Sequence, residues 1–393
     1  MFDLLTPAQQ DPILSLTVAF REDPREQKVD LGIGVYRDNN GQTPIMQAVR
    51  KAQIQLAETQ ESKSYVGLAG SEPFNQAITD LLLKGTDGYS RCATVQTPGA
   101  SGALRMLADL MYVAKPQTTV WISDPSYVNH KPVMEAAGLK VRFYPYFDRQ
   151  TKTVNIDAML KTLSEAGQDD VVLLHGCCHN PTGADIRPEH WQAITEMALK
   201  QGFTPFVDIA YQGFGDGIEE DAYGVRLLAD NVEELLISTS CSKNFGLYRE
   251  RTGAAIVVSK NLETAQNAKG RILTLARATY TMPPDHGAAI VEKVLTQPEL
   301  TQIWRQELDD MNARILGLRE GLSAALKARC GDDRFEFIKE HKGMFSVLGM
   351  ETAQINRLRD EFGIYAIGDS RINIAGLAES NIDYLADALI AVS

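Results

Sequence analysis

Between about residues 92 and 260 the chain alternates short apolar runs with amphipathic stretches. The runs are VWIS (120–123), VRFY (141–144), VVLLHG (171–176), TPFVDI (204–209), LLIS (235–238) and AAIVV (254–258), with a strand-like TVQT (94–97) ahead of them. Runs this short, apolar throughout and separated by helical spacing, predict a parallel or mixed sheet with helices on both faces. Ligand sites in such sheets lie at the carboxyl ends of the strands.

The flanks carry other patterns. Residues 1–45 are broken by Pro7, Pro12, Pro24 and the Gly32-Ile33-Gly34 pair, so an arm and a loop are expected there. GIGVYRD does not complete G-x-G-x-x-G, because Arg37 stands where the last glycine belongs. Apolar spacing at Ile45, Val49, Ala52 and Leu56 predicts a helix over 44–61, interrupted by YVGLAG (65–70). Helical patterns dominate after Asn261, with a long one at 297–329. An α+β segment then reads FEFIKE, MFSVLG, a helix near 355–362, IYAI, RINIAG and a C-terminal helix. The expected division is an arm and part of a small domain (1–45), a large domain (46–310) and a small C-terminal domain (311–393).

Composition narrows the class. At 393 residues the chain is long enough for two or three domains, and its formal charge of −12, with no basic stripe, argues against nucleic acid or an acidic membrane as partner. Five cysteines form no disulfide framework and fit a reducing compartment. No basic n-region precedes an apolar run at the N-terminus, and no apolar run is long enough to cross a bilayer. A soluble cytoplasmic protein is expected.

The chemistry centres on Ser240-Cys241-Ser242-Lys243-Asn244-Phe245-Gly246, with Arg251 beyond. Lys243 stands between two strand-like runs, flanked by small residues, where burial beside Arg251 lowers an amine's pKa as a Schiff-base lysine requires. Alone, the segment also reads as a surface lysine in a polar turn. Thr97-Pro98-Gly99-Ala100-Ser101-Gly102 puts small residues and free amides at a helix start, which suits a phosphate or simply close packing. In HGCCHNPTG, Asn180 before Pro181 is held extended at a strand end. The His175, Cys177, Cys178 and His179 cluster is not expected to bind metal, since neighbours on a strand point to opposite faces and no second ligand pair appears. Asp208 ends an apolar strand, with Tyr211 three residues on, and needs either an arginine or a protonated heterocyclic nitrogen. Arg371, alone in an apolar run, and Arg277, in LARATYTMPP, are forks suited to carboxylates.

A phosphate cradle, a Schiff-base lysine, an aspartate for a pyridinium nitrogen, a tyrosine and asparagine for a phenolic oxygen and a carboxylate-binding arginine together describe a pyridoxal phosphate site. From GIGVYRD through YVGLAG, HGCCHNPTG, AYQGFG and SCSKNFGLYRERTG to RINIAGL, nearly the whole chain resembles the class I aminotransferases of fold type I. The resemblance is to the aspartate and aromatic amino acid branch, and most to its bacterial aromatic members. It implies an α/β large domain with a mostly parallel seven-stranded sheet flanked by helices, plus a smaller α+β domain. It also implies that Lys243 carries the cofactor and moves the Cα proton, that Asp208 pairs with the ring nitrogen, and that Tyr211 and Asn180 bind the ring oxygen. Gly99, Ala100, Ser101, Ser240 and Arg251 would hold the phosphate, joined by Tyr65 of a second subunit in a homodimer. Arg371, with Gly34 beside it, would take the substrate α-carboxylate, and Arg277 of the second subunit a distal carboxylate. His130 and His175 would surround the ring and Asp208. Tyr127 stands where the family usually has Trp over the ring, leaving less stacking area and an added hydroxyl.

These implications predict transfer of an amino group from an aromatic amino acid or aspartate to 2-oxoglutarate, Arg277 suiting dicarboxylates and the apolar, adaptable Met282 suiting rings. The alternative is a strict aspartate aminotransferase. Ser240-Cys241-Ser242-Lys243 also fits the S-x-x-K of serine acyl-enzymes, but the S-D-N and K-T-G companions are absent. A cofactor-binding regulator would carry a DNA-binding module, for which the chain has no basic segment.

Overall fold

The computed structural model describes residues 2–7 and 12–393; Met1 and residues 8–11, inside the expected arm, lie outside the described residues. The chain divides into two compact units, one of residues 44–314 and one of residues 1–43 with 315–393.

The unit 44–314 holds a seven-stranded sheet: β1 (Cys92–Pro98), β2 (Thr119–Asp124), β3 (Lys140–Pro145), β4 (Asp170–His175), β5 (Thr204–Ile209), β6 (Leu235–Ser240) and β7 (Thr252–Val258), ordered β1-β7-β6-β5-β4-β2-β3. Pairing is parallel from β6 through β3, and β7 runs antiparallel to both of its neighbours. Every apolar run of the sequence became a strand. They are short and apolar because the interior strands are covered on both faces: β6 and β7 are buried along their whole length. The helix Gly99–Ala114 covers one face, laying Ala103, Leu104, Leu107 and Met111 at helical spacing against a core that includes Val95, Ile122, Leu173 and Phe206. Burial of each such leucine contributes roughly 1.5–3 kcal/mol. Register fixes the chemistry, since Asp208 lies beside His175 on one side and Ser238 on the other, while Gly253 lies beside Ser240.

In the unit 1–43 with 315–393, Val29–Asp30 pairs in parallel with Ile364–Tyr365, and Phe345–Val347 pairs antiparallel with Arg371–Asn373. Arg319 is fully buried and donates to the carbonyls of Ile338, Gly343 and Phe345 and to Ser346 Oγ, so its charged N–H bonds tie the strand of Phe345 to the turns at Ile338 and Gly343. The long helix predicted at 297–329 spans Pro298–Cys330.

Two expectations are corrected here. The proline-broken arm contains a helix, Pro12–Glu22. Proline at the first helical position forfeits no intrahelical bond, and the Lys28 ammonium donates to the Phe20 and Asp23 carbonyls at the other end. FEFIKE, which alternates like a strand, instead turns into the helix Phe337–Glu340. The helical turn buries Phe335 and Ile338, three residues apart, together, and Arg319 takes the Ile338 carbonyl.

Candidate functional site

At the carboxyl ends of β5, β4 and β6 the side chains of Asp208, His175 and Ser238 come together. Asp208 Oδ1 accepts from Ser238 Oγ at 2.6 Å and Oδ2 from His130 Nε2 at 2.9 Å. An ionised carboxylate only accepts, so both partners donate. Ser126 Oγ then links His130 Nδ1, 2.9 Å away, to His175 Nε2, 3.3 Å away. Burial opposes ionisation of Asp208, but the hydrogen bonds from His130 and Ser238 and the field of the imidazoles outweigh it, holding the carboxyl below its ordinary range. His175 is kept neutral: burial, reinforced by His130, brings its pKa down to about 3.

Lys243 follows the end of β6 in a turn closed by Gly246 N–H donating to the Lys243 carbonyl at 3.0 Å, with Gly246 at φ +64°. The turn is pinned by Trp304, whose Nε1 donates to the Asn244 carbonyl at 2.7 Å while its ring stacks on Phe245 at 4.6 Å. Lys243 Nζ lies 4.6 Å from the centre of the Tyr211 ring. The side chain keeps some accessible surface, yet dense packing around the amine lowers its pKa. The Arg251 charge adds to that, Asp208 opposes it, and the result is about 8.

The glycine-rich start of the helix Gly99–Ala114 follows β1 directly, with Gly99 at φ +67° and no side-chain cap on the first turn, so the amides there are not taken by a cap. A Cβ on Gly99 would stand 2.8 Å from Arg251 Nη2, which places the guanidinium against this helix start. Ser240 Oγ accepts from Ser242 N–H at 3.1 Å. Asn180 is buried on the turn after β4, and the Tyr127 ring meets His130 edge-on at 5.3 Å.

The remaining candidates lie elsewhere. Tyr65 is 88% exposed, and Arg277 is exposed near the end of the helix Leu262–Thr279. Met282 Sδ accepts from Val66 N–H at 3.3 Å, which draws the loop after Arg277 to the Tyr65 loop. In the other unit, Arg371 is 5% exposed, donates to the Gly32 carbonyl at 3.2 Å and lies 4.6 Å over the Phe345 ring. Gly34 meets the same ring: a Cβ there would stand 2.7 Å from Phe345 Cζ, so only glycine fits.

Sequence reasoning missed Ser238, Ser126 and Gly253. Ser238 was legible as the residue two before Ser240, on the same face of a strand. Ser126 lies in the non-helical turn between β2 and the helix His130–Ala136, where no sequence periodicity marks its contact with the His130 ring. The geometric argument against metal needs correction, because β4 stops at His175 and Cys178 takes φ +51°. Cys177 and Cys178 therefore do not alternate across a strand, and their sulfur atoms come within 4.8 Å of each other and of a carboxylate oxygen of Asp221.

Residues 26–389 match the family described as aminotransferase class I and II. The chain is 47% identical over 392 residues to an aromatic-amino-acid aminotransferase of Paracoccus denitrificans, covering all of both chains. It is 44% identical over 395 residues to an aspartate aminotransferase of Salmonella typhi, again covering all of both. Among solved structures, the aromatic-amino-acid aminotransferase from Burkholderia pseudomallei covalently bound to pyridoxal phosphate superposes with a TM-score of 0.97 at 41% identity, covering 100% of this chain and 99% of that one. Among the described residues, no helix is long and apolar enough to cross a membrane.

Proposed function

This chain belongs to the class I and II aminotransferases, and from that premise we propose that it moves an amino group from an aromatic amino acid or aspartate to 2-oxoglutarate, with pyridoxal phosphate as carrier in a ping-pong cycle. The observation that carries the reading is the pairing of an amine and an anion at one sheet end. The Lys243 amine is brought to a pKa of about 8. Asp208, kept ionised in the interior, is held by His130 and Ser238 and, among the described residues, by no lysine or arginine.

The residues fit the cofactor on grounds visible in the chain itself. A buried anion without a lysine or arginine suits a protonated ring nitrogen, and an uncapped helix start beside Arg251 suits a phosphate. Gly99, Ala100, Ser101, Ser240 and Arg251 would hold the phosphate, Asp208 the ring nitrogen, Tyr211 and Asn180 the ring oxygen, and Tyr127 the ring face. When bound, pyridoxal phosphate supplies a carbonyl carbon that takes the amino group and a protonated ring that accepts the electrons released as the Cα–H bond breaks.

The chain's own residues do the rest. Lys243 Nζ takes the Cα proton and delivers it again, a task for which an amine near pKa 8 has both forms at hand. His130, oriented through Ser126 by a neutral His175, keeps the Asp208 carboxylate aimed and ionised. Arg371 binds the substrate α-carboxylate, with Gly34 leaving room beside the Phe345 ring.

The working unit is a homodimer in which the exposed Tyr65 and Arg277 serve the neighbouring copy, Tyr65 at the phosphate and Arg277 at a distal carboxylate. Arg277 suits aspartate and 2-oxoglutarate, while Met282 gives an aromatic ring an apolar surface. Five free cysteines suit the reducing cytoplasm. The test is to load the protein with cofactor and mix it separately with phenylalanine and with aspartate, without an oxo acid. Conversion of the cofactor absorbance by both is expected. Conversion by aspartate alone would make this a strict aspartate aminotransferase.

A further inference from the structure

Two carboxylates, Asp185 on the turn after β4 and Asp221 on the segment after β5, are held by backbone amides. Asp185 accepts from the N–H groups of Cys178 and His179, both at 2.7 Å. Asp221 accepts from Gly213 and Gly215 through Oδ2 and from Asp216 N–H through Oδ1. Neither carboxylate forms an ion pair with a lysine, arginine or histidine among the described residues, and Asp221 is buried, with 6% of its surface accessible. Amide dipoles alone offset charge in the interior there, an arrangement that a cation would complete.

We propose that Cys177, Cys178 and Asp221 form a binding site for one thiophilic divalent cation of the zinc and cadmium class. Two sulfur atoms and a carboxylate oxygen converge within 4.8 Å of one another, a spread that a contraction of about 1 Å closes around such an ion. Two soft sulfur ligands select against magnesium and calcium, and a hard oxygen completes a three-sided set. The convergence is built into the backbone: φ +51° at Cys178, a conformation a non-glycine residue adopts only when held there, turns the second thiol back toward the first. The Asp185 hydrogen bonds to the Cys178 and His179 amides hold that turn. Asp221 Oδ1 takes a single amide, which leaves it a free lone pair for the ion. Cys177 keeps 7% of its surface accessible.

Binding forms two metal–sulfur bonds, and each thiol gives up its proton to solvent as its bond forms. The site is separate from the lysine and aspartate chemistry but adjoins it, since Cys178 Sγ lies 3.9 Å from the Tyr211 carbonyl and Asn180 is two residues along the chain.

The experiment titrates cadmium into the cofactor-loaded protein with a non-thiol reductant present. A Cys92→Ser, Cys330→Ser background removes the two partly exposed thiols. One cadmium per chain is expected, with a thiolate-to-metal absorption band. In that background, Cys177→Ser and Cys178→Ser should each weaken binding by more than the roughly 10–100-fold that loss of even an outer-shell partner costs. Asp221→Asn should weaken it while leaving the band. X-ray absorption on the loaded background protein, which needs no variant of the turn, should count two sulfur neighbours on the metal. A folded background protein without the band, a sulfur count of none or one, or an unchanged band in Cys177→Ser would each overturn the proposal.

Discussion

Asp208 Oδ2 and His130 Nε2 are 2.9 Å apart, both buried, and among the described residues the His130 imidazole is the one cationic-capable group that hydrogen-bonds this carboxylate. The bond explains how a carboxyl in an apolar sheet stays ionised. It also leaves Asp208 with its charge directed at whatever stands at the end of β5.

Asp208→Ala removes that charge. Turnover should fall about 10²–10³-fold, the scale on which a preorganised electrostatic contact acts on a transition state. Steady-state rates with aspartate and 2-oxoglutarate check this, and a fall of less than about tenfold would contradict the assigned role.

Lys243→Ala should keep cofactor binding, because the helix start, Arg251 and Asp208 are untouched. Proton transfer at Cα should slow by about 10²–10⁴-fold or more. Single-turnover absorbance measurements separate the two effects, and added small amines should restore part of the rate.

Gly253→Ala tests the phosphate cradle without removing a polar side chain. Its Cβ would stand 2.5 Å from the Thr239 carbonyl oxygen, 2.6 Å from Gly99 C and 2.8 Å from Ala100 N, all backbone atoms. The helix start must shift away from β7 at a cost of about 1–3 kcal/mol. Cofactor affinity, read by equilibrium dialysis, should weaken while Lys243 and Asp208 remain in place.

His175 sets a pH dependence of stability. Its folded pKa of about 3 lies below the ordinary 6.5, so between those values the unfolded chain binds a proton that the folded chain refuses. Its contribution is therefore intact above pH 6.5 and lost as pH falls toward 3, by about 1.4 kcal/mol per pH unit. Urea unfolding between about pH 4.5 and 6.5 should show this slope as the difference between the wild type and His175→Asn, because Asp185, with its pKa raised to about 6, contributes a slope of opposite sign to both.

Much of this was legible in the sequence because strands covered on both faces cannot hide their composition. AAIVV and VVLL leave little room for a polar side chain, so their runs mark β7 and β4 directly. The site residues follow from the same logic, since Asp208 and Lys243 are charged groups at the ends of apolar strands, where a solvated role is hard to sustain. What stayed hidden depends on register and on distant partners. Ser238 matters because it lies beside Asp208 across β5 and β6, and FEFIKE packs as a helical turn in which Phe335 and Ile338 are buried together and Arg319 takes the Ile338 carbonyl. The expectation that Cys177 and Cys178 point to opposite faces treated them as strand neighbours, whereas β4 ends at His175 and Cys178 turns the chain.

The central claim is that Lys243 is the amine that holds the carrier and moves the proton. The most direct measurement is borohydride reduction of the cofactor-loaded protein, followed by digestion and mass mapping of the modified peptide. The account expects the pyridoxyl group on the peptide containing Ser242, Lys243 and Asn244, in one copy per chain. A label on any other lysine, or no covalent label at all, would contradict it.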